Sequence, residues 1–189
     1  MKPTRSSTPH VVVMVGIPGS GKTTFAEHYA KTFQAVFLNS KQLAHDANID
    51  EATTEQLIAT LLPEVLKTHQ PIILEVPAFN YQHRQALEEV IASTGYRTLL
   101  VWVQTETSEA RHRAISKRAA IPLSREEFAD TIAAFEPPTD KERVAVISGK
   151  HTYATQLKSV LRHLVTPRPK QPLKKRDNPP RSSRKSFMR

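Results

Sequence analysis

Cysteine is absent from this chain of 189 residues. Its absence excludes disulfide bonds, zinc sites with thiolate ligands, iron–sulfur clusters and catalysis by a thiol nucleophile. No run of apolar residues approaches the roughly 18 that are needed to span a bilayer. The N-terminal stretch MKPTRSSTPH is polar, and the apolar run that follows it is too short for the core of a signal peptide. We therefore expect a soluble cytoplasmic protein that does not bind membranes.

Acidic residues are too few to balance the basic ones, and the imbalance lies almost entirely at one end of the chain. The net charge is +9, and residues 166–189 contribute +8 of it, with nine Lys or Arg and one Asp. The same segment holds five prolines, so we expect it to be disordered in isolation. It is either a segment that attracts nucleic acid, with strong salt dependence, or a solvated extension without a dedicated partner. Its only aromatic residue is Phe187, so the stacking pattern of a single-strand binder is missing.

The remaining residues alternate between short apolar runs and stretches with helical periodicity. This alternation predicts a parallel sheet covered by helices on both faces. Residues 1–9 are predicted to be a flexible lead, 10–165 one domain and 166–189 a tail. Strands are predicted at 11–15, 35–38, 71–76, 98–103 and 144–147, and helices at 22–33, 53–68, 81–94, 106–119, 124–135 and 152–164.

The stretch GIPGSGKTT, residues 16–24, fits the Walker A pattern completely. It follows a buried apolar strand and opens a helix, which is the context in which the pattern forms a phosphate-binding loop. In such a loop Lys22 reaches the β- and γ-phosphates, and the Thr23 hydroxyl joins the Mg²⁺ shell. The predicted phosphate-binding residues are Gly16, Pro18, Gly19, Ser20, Gly21, Lys22, Thr23 and Thr24.

This loop, a second strand that ends in Asn39 and a basic Arg-x-x-x-Lys helix resemble the small P-loop kinases. The closest resemblance is to the polynucleotide-kinase-like ATPases that are grouped with zeta-toxin-type kinases, and it covers about residues 10–164. It implies an α/β fold of the P-loop NTPase type, with three α/β/α layers, about five parallel strands and a helical lid. The sequence contains no motif that reads the base and would distinguish ATP from GTP. The choice of ATP as the nucleotide is therefore what the resemblance implies.

The resemblance also implies roles for residues beyond the loop. Glu75 ends the third strand and is expected to act on Mg²⁺, its water or the acceptor, although it could instead cap a turn or pair with a lysine. Arg113 and Lys117 match the basic pair of the lid, with Arg111 and Arg118 adding charge, and Arg113 and Arg118 are the expected catalytic cations. A solvated helix face, with Glu109 pairing to Arg113, is the alternative.

Three further features match the resemblance. Arg84 corresponds to an arginine that follows the third strand, although a surface pair with Glu88 is equally open. Phe135-Glu136-Pro137-Pro138 and the downstream Glu142 match a stretch that follows the lid in that family.

One part of the pattern is missing. These kinases place an Asp after the second strand, where it accepts the proton of the acceptor hydroxyl, but residues 39–43 read NSKQL and contain no carboxylate. Asp46 is the nearest candidate base, provided that residues 39–50 are helical and turn it inward. Loss of a general base lowers a rate by about 10²–10⁴.

The sequence thus predicts an enzyme that binds ATP and Mg²⁺. The first hypothesis is a kinase that transfers the γ-phosphate to a hydroxyl, plausibly the 5′-hydroxyl of a nucleic acid brought in by the tail. The second is an ATPase or ATP-dependent nucleic-acid-binding module without an acceptor. The third is a small-molecule kinase of the sugar-nucleotide type. The sequence does not determine the acceptor or the oligomeric state.

Overall fold

The computed structural model describes residues 9–116, 119 and 121–165, and the predicted flexible lead and tail, apart from Pro9, lie outside these residues. Within them five strands alternate with helices along the chain. In chain order the elements are β1 (His10–Val15), α1 (Lys22–Phe33), β2 (Val36–Asn39), α2 (Ser40–Ala47), α3 (Glu51–Leu66), β3 (Ile72–Glu75), α4 (Tyr81–Ser93), β4 (Arg97–Gln104), α5 (Thr107–Ala114), α6 (Arg125–Ala133), β5 (Val144–Ser148) and α7 (Tyr153–Val165).

The five strands form one parallel sheet with the order β2-β3-β1-β4-β5. The strand order reverses beside β1, and ligands of open α/β sheets bind at the carboxyl edge near such a point. The loop after β1 therefore lies next to the ends of β3 and β4. Asn39 and Glu75 are register partners at the ends of β2 and β3, so this edge brings their side chains together.

The core explains why the strands are so uniformly apolar. The β-branched run of β1 is buried on both faces, as expected for a central parallel strand. One face of the sheet packs against α1 and α7 through residues such as Phe25, Tyr29 and Val160. The other packs against α3 and α4 through Leu62 and Ile91. The predicted three-layer P-loop fold is confirmed.

Most predicted elements are present within one to three residues of their expected ends. The predicted caps are also confirmed: Asn80 Oδ1 accepts from the His83 amide at 2.9 Å, and Ser124 forms a capping box with Glu127. Gly95, just beyond α4, has a positive φ of 80° and ends that helix as expected.

Two elements differ from the prediction. Residues 40–47 form α2, which lacks a strong apolar stripe and is recognisable mainly by its cap, Asn39 Oδ1 accepting from the Gln42 amide at 3.2 Å. The lid helix α5 ends at Ala114, well before the predicted residue 119.

No helix among the described residues is long and apolar enough to cross a bilayer.

Candidate functional site

The Walker A loop makes a tight turn between β1 and α1. Gly16 and Gly19 have φ values of 141° and 77°, which favour glycine over any side chain. A Cβ at Gly16 would lie 2.7 Å from the Val103 carbonyl oxygen, and one at Gly19 would lie 2.1 Å from that of Ala110. These glycines therefore allow the loop to lie directly against the end of β4 and against α5.

The underside of the loop is fixed by the elements that follow β4 and β5. Thr105 Oγ1 donates to the Ser20 carbonyl oxygen at 3.0 Å. A Cβ at Gly149 would lie 2.2 Å from the same oxygen, so only glycine fits there. Because Ser20 is fully buried, the loop is held from below while its other face borders a cavity.

Lys22 folds back onto the loop that precedes it. Its Nζ donates to the carbonyl oxygens of Gly16 and Ile17 at 2.9 and 3.0 Å. Burial lowers the pKa of Lys22 to about 8, and the charge of Glu75 opposes this shift. Burial thus makes the charged form of this group less favourable than it is in water, and phosphate oxygens would give the ammonium a stronger partner.

Thr23 and Glu75 meet at the carboxyl edge of the sheet. Thr23 Oγ1 donates to Glu75 Oε1 at 3.0 Å, and Asn39 Nδ2 donates to Oε2 at 3.3 Å. Ser40 Oγ donates to the main-chain oxygen of Glu75 at 3.3 Å. Burial raises the pKa of the Glu75 carboxyl, and the nearby Lys22 charge opposes that rise. The carboxylate therefore connects the Walker A helix to the end of β2.

This pair of oxygen groups fits Mg²⁺. Magnesium takes hard oxygen ligands and usually keeps several waters, so a hydroxyl and one carboxylate are a sufficient protein contribution. Thr23 Oγ1 and Glu75 Oε1 supply that set at one point beside the loop. The described residues contain no group of three or more His, Cys, Asp or Glu side chains that could form a complete protein cage for a metal.

A cavity of about 550 Å³ extends from the loop to the far side of the sheet edge. Its size lies in the range of small-molecule sites. Six of the eight predicted phosphate-binding residues line it, whereas Gly16 and Ser20 are buried beneath the loop. The six are Pro18, Gly19, Gly21, Lys22, Thr23 and Thr24. The wall opposite the loop comes from α2, the start of α3, the segment after β3 and the lid, with the residues Asn39, Ser40, Lys41, Gln42, Glu51, Val76, Pro77, Phe79, Arg113, Ala114, Ala119, Ile121 and Leu123.

The structure does not bring Asp46 into this cavity. Its side chain lies on α2 and is 62% exposed. Its Oδ1 atom accepts from Gln42 Nε2 at 2.7 Å and is 3.2 Å from His45 Nδ1. These hydrogen bonds, that of His45 first, lower the pKa of Asp46. The base hypothesis required a helix over residues 39–50, whereas the helix covers residues 40–47 only and does not turn the carboxylate inward. Glu51 is the carboxylate that lines the opposite wall.

The lid cations are only partly described. Arg113 lines the cavity and donates through Nη2 to Glu109 Oε1, four residues earlier on α5. Glu109 also pairs through Oε2 with Lys150 Nζ at 3.3 Å. The pair that the sequence offered as the alternative is therefore formed, and it places Arg113 at the edge of the cavity. Lys117 and Arg118 lie outside the described residues.

Arg84 does not form the surface pair considered from the sequence. Its side chain is 1% exposed, and Nε donates to Glu142 Oε1 at 2.6 Å while Nη2 donates to Oε2 at 3.2 Å. Nη1 donates to the carbonyl oxygens of Ala78 and Glu136 at 3.2 and 2.9 Å. Arg84 therefore fixes the segment after β3, which lines the cavity through Phe79, to the segment that follows the lid.

Sequence reasoning missed most of the wall opposite the loop, including Lys41, Gln42, Glu51 and Phe79. The positions of Lys41 and Gln42 in the sequence could have indicated that they line the cavity, because both follow a strand that ends at the ligand-binding edge of the sheet. Nothing in the sequence indicated that Glu51 and Phe79 line the cavity, because their distance from the loop depends on how α3 and α4 pack.

Comparisons with known proteins agree with this geometry. A family model described as an AAA domain (AAA_33) matches residues 11–138. That range includes the Walker A loop, Glu75, the described lid residues and the wall of the cavity opposite the loop. A search of curated proteins found no match.

Solved structures share the fold at low sequence identity. A gluconokinase from Sinorhizobium meliloti 1021 aligns with a TM-score of 0.63 and 17% identity, covering 84% of this chain and 93% of that one. Kti12 from Chaetomium thermophilum, in complex with ADP-AlF3, gives 0.65 and 17%, covering 80% and 96%. The Mycobacterium tuberculosis APS kinase CysC, in complex with AMPPNP and APS, gives 0.54 and 16%, covering 85% and 99%. At these identities the likeness establishes the fold and leaves the substrate open.

Proposed function

This chain belongs to the AAA domain family, and we propose that it is a kinase that binds ATP and Mg²⁺ and transfers the γ-phosphoryl group to an acceptor hydroxyl. The observation that carries the proposal is one cavity with two walls. Lys22 and Thr23, with Glu75 beside them, form a wall suited to a metal-bound triphosphate. The opposite wall comes from other elements and combines polar side chains of α2 and α3 with apolar residues of the lid, so there is room for a second reactant.

The roles of the loop residues follow from their contacts. Lys22 would exchange its two carbonyl partners for β- and γ-phosphate oxygens. Thr23 and Glu75 would hold Mg²⁺, which would neutralise negative charge on the phosphates when bound. Arg113, at the edge of the cavity, would add positive charge beside the γ-phosphate after leaving Glu109, and Arg118 stays a predicted second cation.

In the transfer step the acceptor oxygen forms a bond to the γ-phosphorus. The bond from that phosphorus to the oxygen that bridges it to the β-phosphate breaks, and ADP leaves with the electron pair. The hydroxyl proton passes to a carboxylate or to water. Glu51 lines the cavity and Asp46 does not, so we propose Glu51 as the residue that receives or orients this proton, in place of the Asp46 suggested by the sequence.

The cavity favours a small acceptor over a polynucleotide. Its volume is typical of small-molecule sites, and Phe79 is the only aromatic residue among the described lining residues. Proteins that hold single strands stack successive bases on several aromatic side chains. The gluconokinase and the APS kinase that share this fold act, by their names, on small molecules. A nucleic acid recruited by residues 166–189 stays a prediction, because that segment lies outside the described residues.

A second candidate is an ATPase or ATP-dependent binding module without an acceptor. It is favoured by residues 39–43, which carry no carboxylate, and by Asn39, whose amide is bonded to Glu75. In that case the wall opposite the loop would change with the bound nucleotide without binding a substrate.

The test follows γ-labelled phosphate from ATP and Mg²⁺ in the presence of a 5′-hydroxyl oligonucleotide or a panel of sugars and sugar acids. Label on an acceptor, lost in Lys22→Ala and retained in Lys31→Ala, is the expected result. Lys31 is the matched control because it is an exposed lysine of the same helix that does not line the cavity. Glu51→Gln should slow transfer by at least tenfold, whereas Asp46→Asn should not. Free phosphate with every acceptor, lost in Lys22→Ala, would favour the ATPase.

A further inference from the structure

We infer that the wall opposite the Walker A loop contains an anion subsite, in which Lys41 binds a phosphate or carboxylate group carried by the acceptor. The inference rests on the proposed function, because it concerns the second reactant of the same cavity. It specifies the substrate class as a hydroxylated molecule that also bears an anionic oxygen group.

Lys41 is a cation that borders the cavity without a carboxylate partner. It is the second residue of α2 and lines the wall beside Asn39 and Gln42. Its side chain is exposed, and no described carboxylate lies within salt-bridge distance of it, although its charge acts from farther away on Glu75 and Glu127. Two other described lysines are paired, Lys67 with Glu64 at 2.6 Å and Lys150 with Glu109 at 3.3 Å. The charge of Lys41 is therefore available to a ligand.

The charge of Lys41 reaches the place where phosphoryl transfer would occur. Burial is the main cause of the lowered pKa of Lys22, but repulsion from Lys41 lowers it further. Lys41 also opposes the rise in the pKa of Glu75 that burial causes. Because the Lys41 ammonium changes the pKa of both Lys22 and Glu75, it lies within electrostatic range of the position expected for the γ-phosphate.

The carboxylates of the cavity do not neutralise this cation. Glu75 is engaged by Thr23 and Asn39, and Glu27 lies one turn after Thr23 on α1, on the side of the proposed metal. Glu51, at the start of α3, remains on the acceptor side. A ligand with an anionic group for Lys41 and a hydroxyl for Glu51 would satisfy both.

Lys41 lies in the stretch directly after β2. In the kinases that this chain resembles, the stretch after β2 supplies the carboxylate for the acceptor hydroxyl, whereas here it supplies a lysine. A change from negative to positive charge at this wall would repel cationic acceptors and attract anionic ones. Arg113, at the lid side of the same cavity, would add a second cation when it is released from Glu109.

The test uses inorganic phosphate as the probe while the non-transferable analogue AMPPNP, with Mg²⁺, saturates the Walker A loop. With the γ-position filled, phosphate that binds must occupy a second site, and calorimetry measures its affinity. Lys41→Gln should weaken phosphate binding about tenfold, the value of one hydrogen bond to a charged group. Lys41→Arg should retain binding, and Lys31→Gln should match the unaltered protein. Affinity for AMPPNP is measured first for each variant, so that every titration starts from a filled loop.

Competition then separates the sources of the anion. Displacement of phosphate by glucose 6-phosphate or gluconate, but not by glucose, supports the subsite and assigns it to a small molecule. Displacement by a 5′-hydroxyl oligonucleotide alone supports the subsite and assigns it to a polynucleotide. No phosphate binding at saturating AMPPNP, or equal binding to Lys41→Gln, would overturn the inference and leave the proposed function intact. Failure of the unaltered protein to bind AMPPNP would refute the proposed function itself.

Discussion

The position of Lys22 predicts how nucleotide affinity changes with pH. Its ammonium has two carbonyl partners, and burial lowers its pKa to about 8. A bound triphosphate would hold the same group fully protonated, because its anionic oxygens favour the charged form. Nucleotide binding therefore requires the protonated lysine, and above pH 8 each unit of pH should weaken affinity about tenfold.

The magnitude is large enough to measure directly. Between pH 7 and pH 9 the protonated fraction of a group with a pKa of about 8 falls about tenfold, which corresponds to about 1.4 kcal/mol of binding free energy. Titrating AMPPNP and Mg²⁺ calorimetrically at fixed ionic strength would record this change.

A matched variant isolates the lysine. Arginine stays charged throughout this range, so Lys22→Arg should bind with an affinity that no longer falls above pH 8, even if that affinity is lower. An unaltered protein whose affinity is constant from pH 7 to pH 9 would refute the reasoning. So would a decline of the same steepness in Lys22→Arg, since the titrating group would then lie elsewhere.

Three further predictions concern single contacts. Glu75→Gln should weaken AMPPNP binding by at least about tenfold with Mg²⁺ present and much less in a chelator, and equal losses in calorimetry would exclude a metal role. Arg84→Met should lower the free energy of unfolding, measured in urea, by about 3–5 kcal/mol, because the buried Glu142 carboxylate loses its arginine partner. Adding Glu142→Leu should recover part of that loss. A loss below about 1 kcal/mol would contradict this prediction. Burial first, then the charge of Arg143, lowers the pKa of His10 below its usual 6.5, so the unfolded chain binds more protons below that pH and stability should fall there. His10→Gln should make the acid limb of stability shallower in urea titrations, and an unchanged limb would count against the shift.

The nucleotide half of the site was predictable from the sequence because its determinants are local. Nine consecutive residues specify the loop, and the apolar run before it and the amphipathic helix after it fix its surroundings. Gly16 and Gly19 have the positive φ values, and Lys22 and Thr23 the positions at the start of α1, that this motif implies. Glu75 was also accessible, since the end of a parallel strand beside the loop lies at the ligand edge.

The acceptor half was not predictable in the same way because it depends on contacts between distant segments. Arg84 appeared on a helix with Glu88 four residues later, which suggests a surface pair, yet α4 buries it against Glu142, 58 residues away. Asp46 seemed the best base by sequence distance, but the angular position on α2 turns it to solvent, whereas Glu51, on another helix, lines the cavity. Spacing along the chain cannot establish such directions.

Glu75 is the residue through which the two halves of the cavity act on one another. One carboxylate oxygen accepts from Thr23, next to the proposed metal, and the other accepts from Asn39, the cap of the helix that carries Lys41. A metal bound to the first oxygen would share this carboxylate with Asn39 at the end of β2. Ser40 Oγ donates to the main-chain oxygen of Glu75 as well. Under the proposed function, metal binding and the position of Lys41 would therefore be coupled through a single side chain. For a kinase this arrangement would favour binding of the acceptor once the nucleotide and its metal are in place, because Glu75, which would hold the metal, also contacts the cap of the helix that carries Lys41.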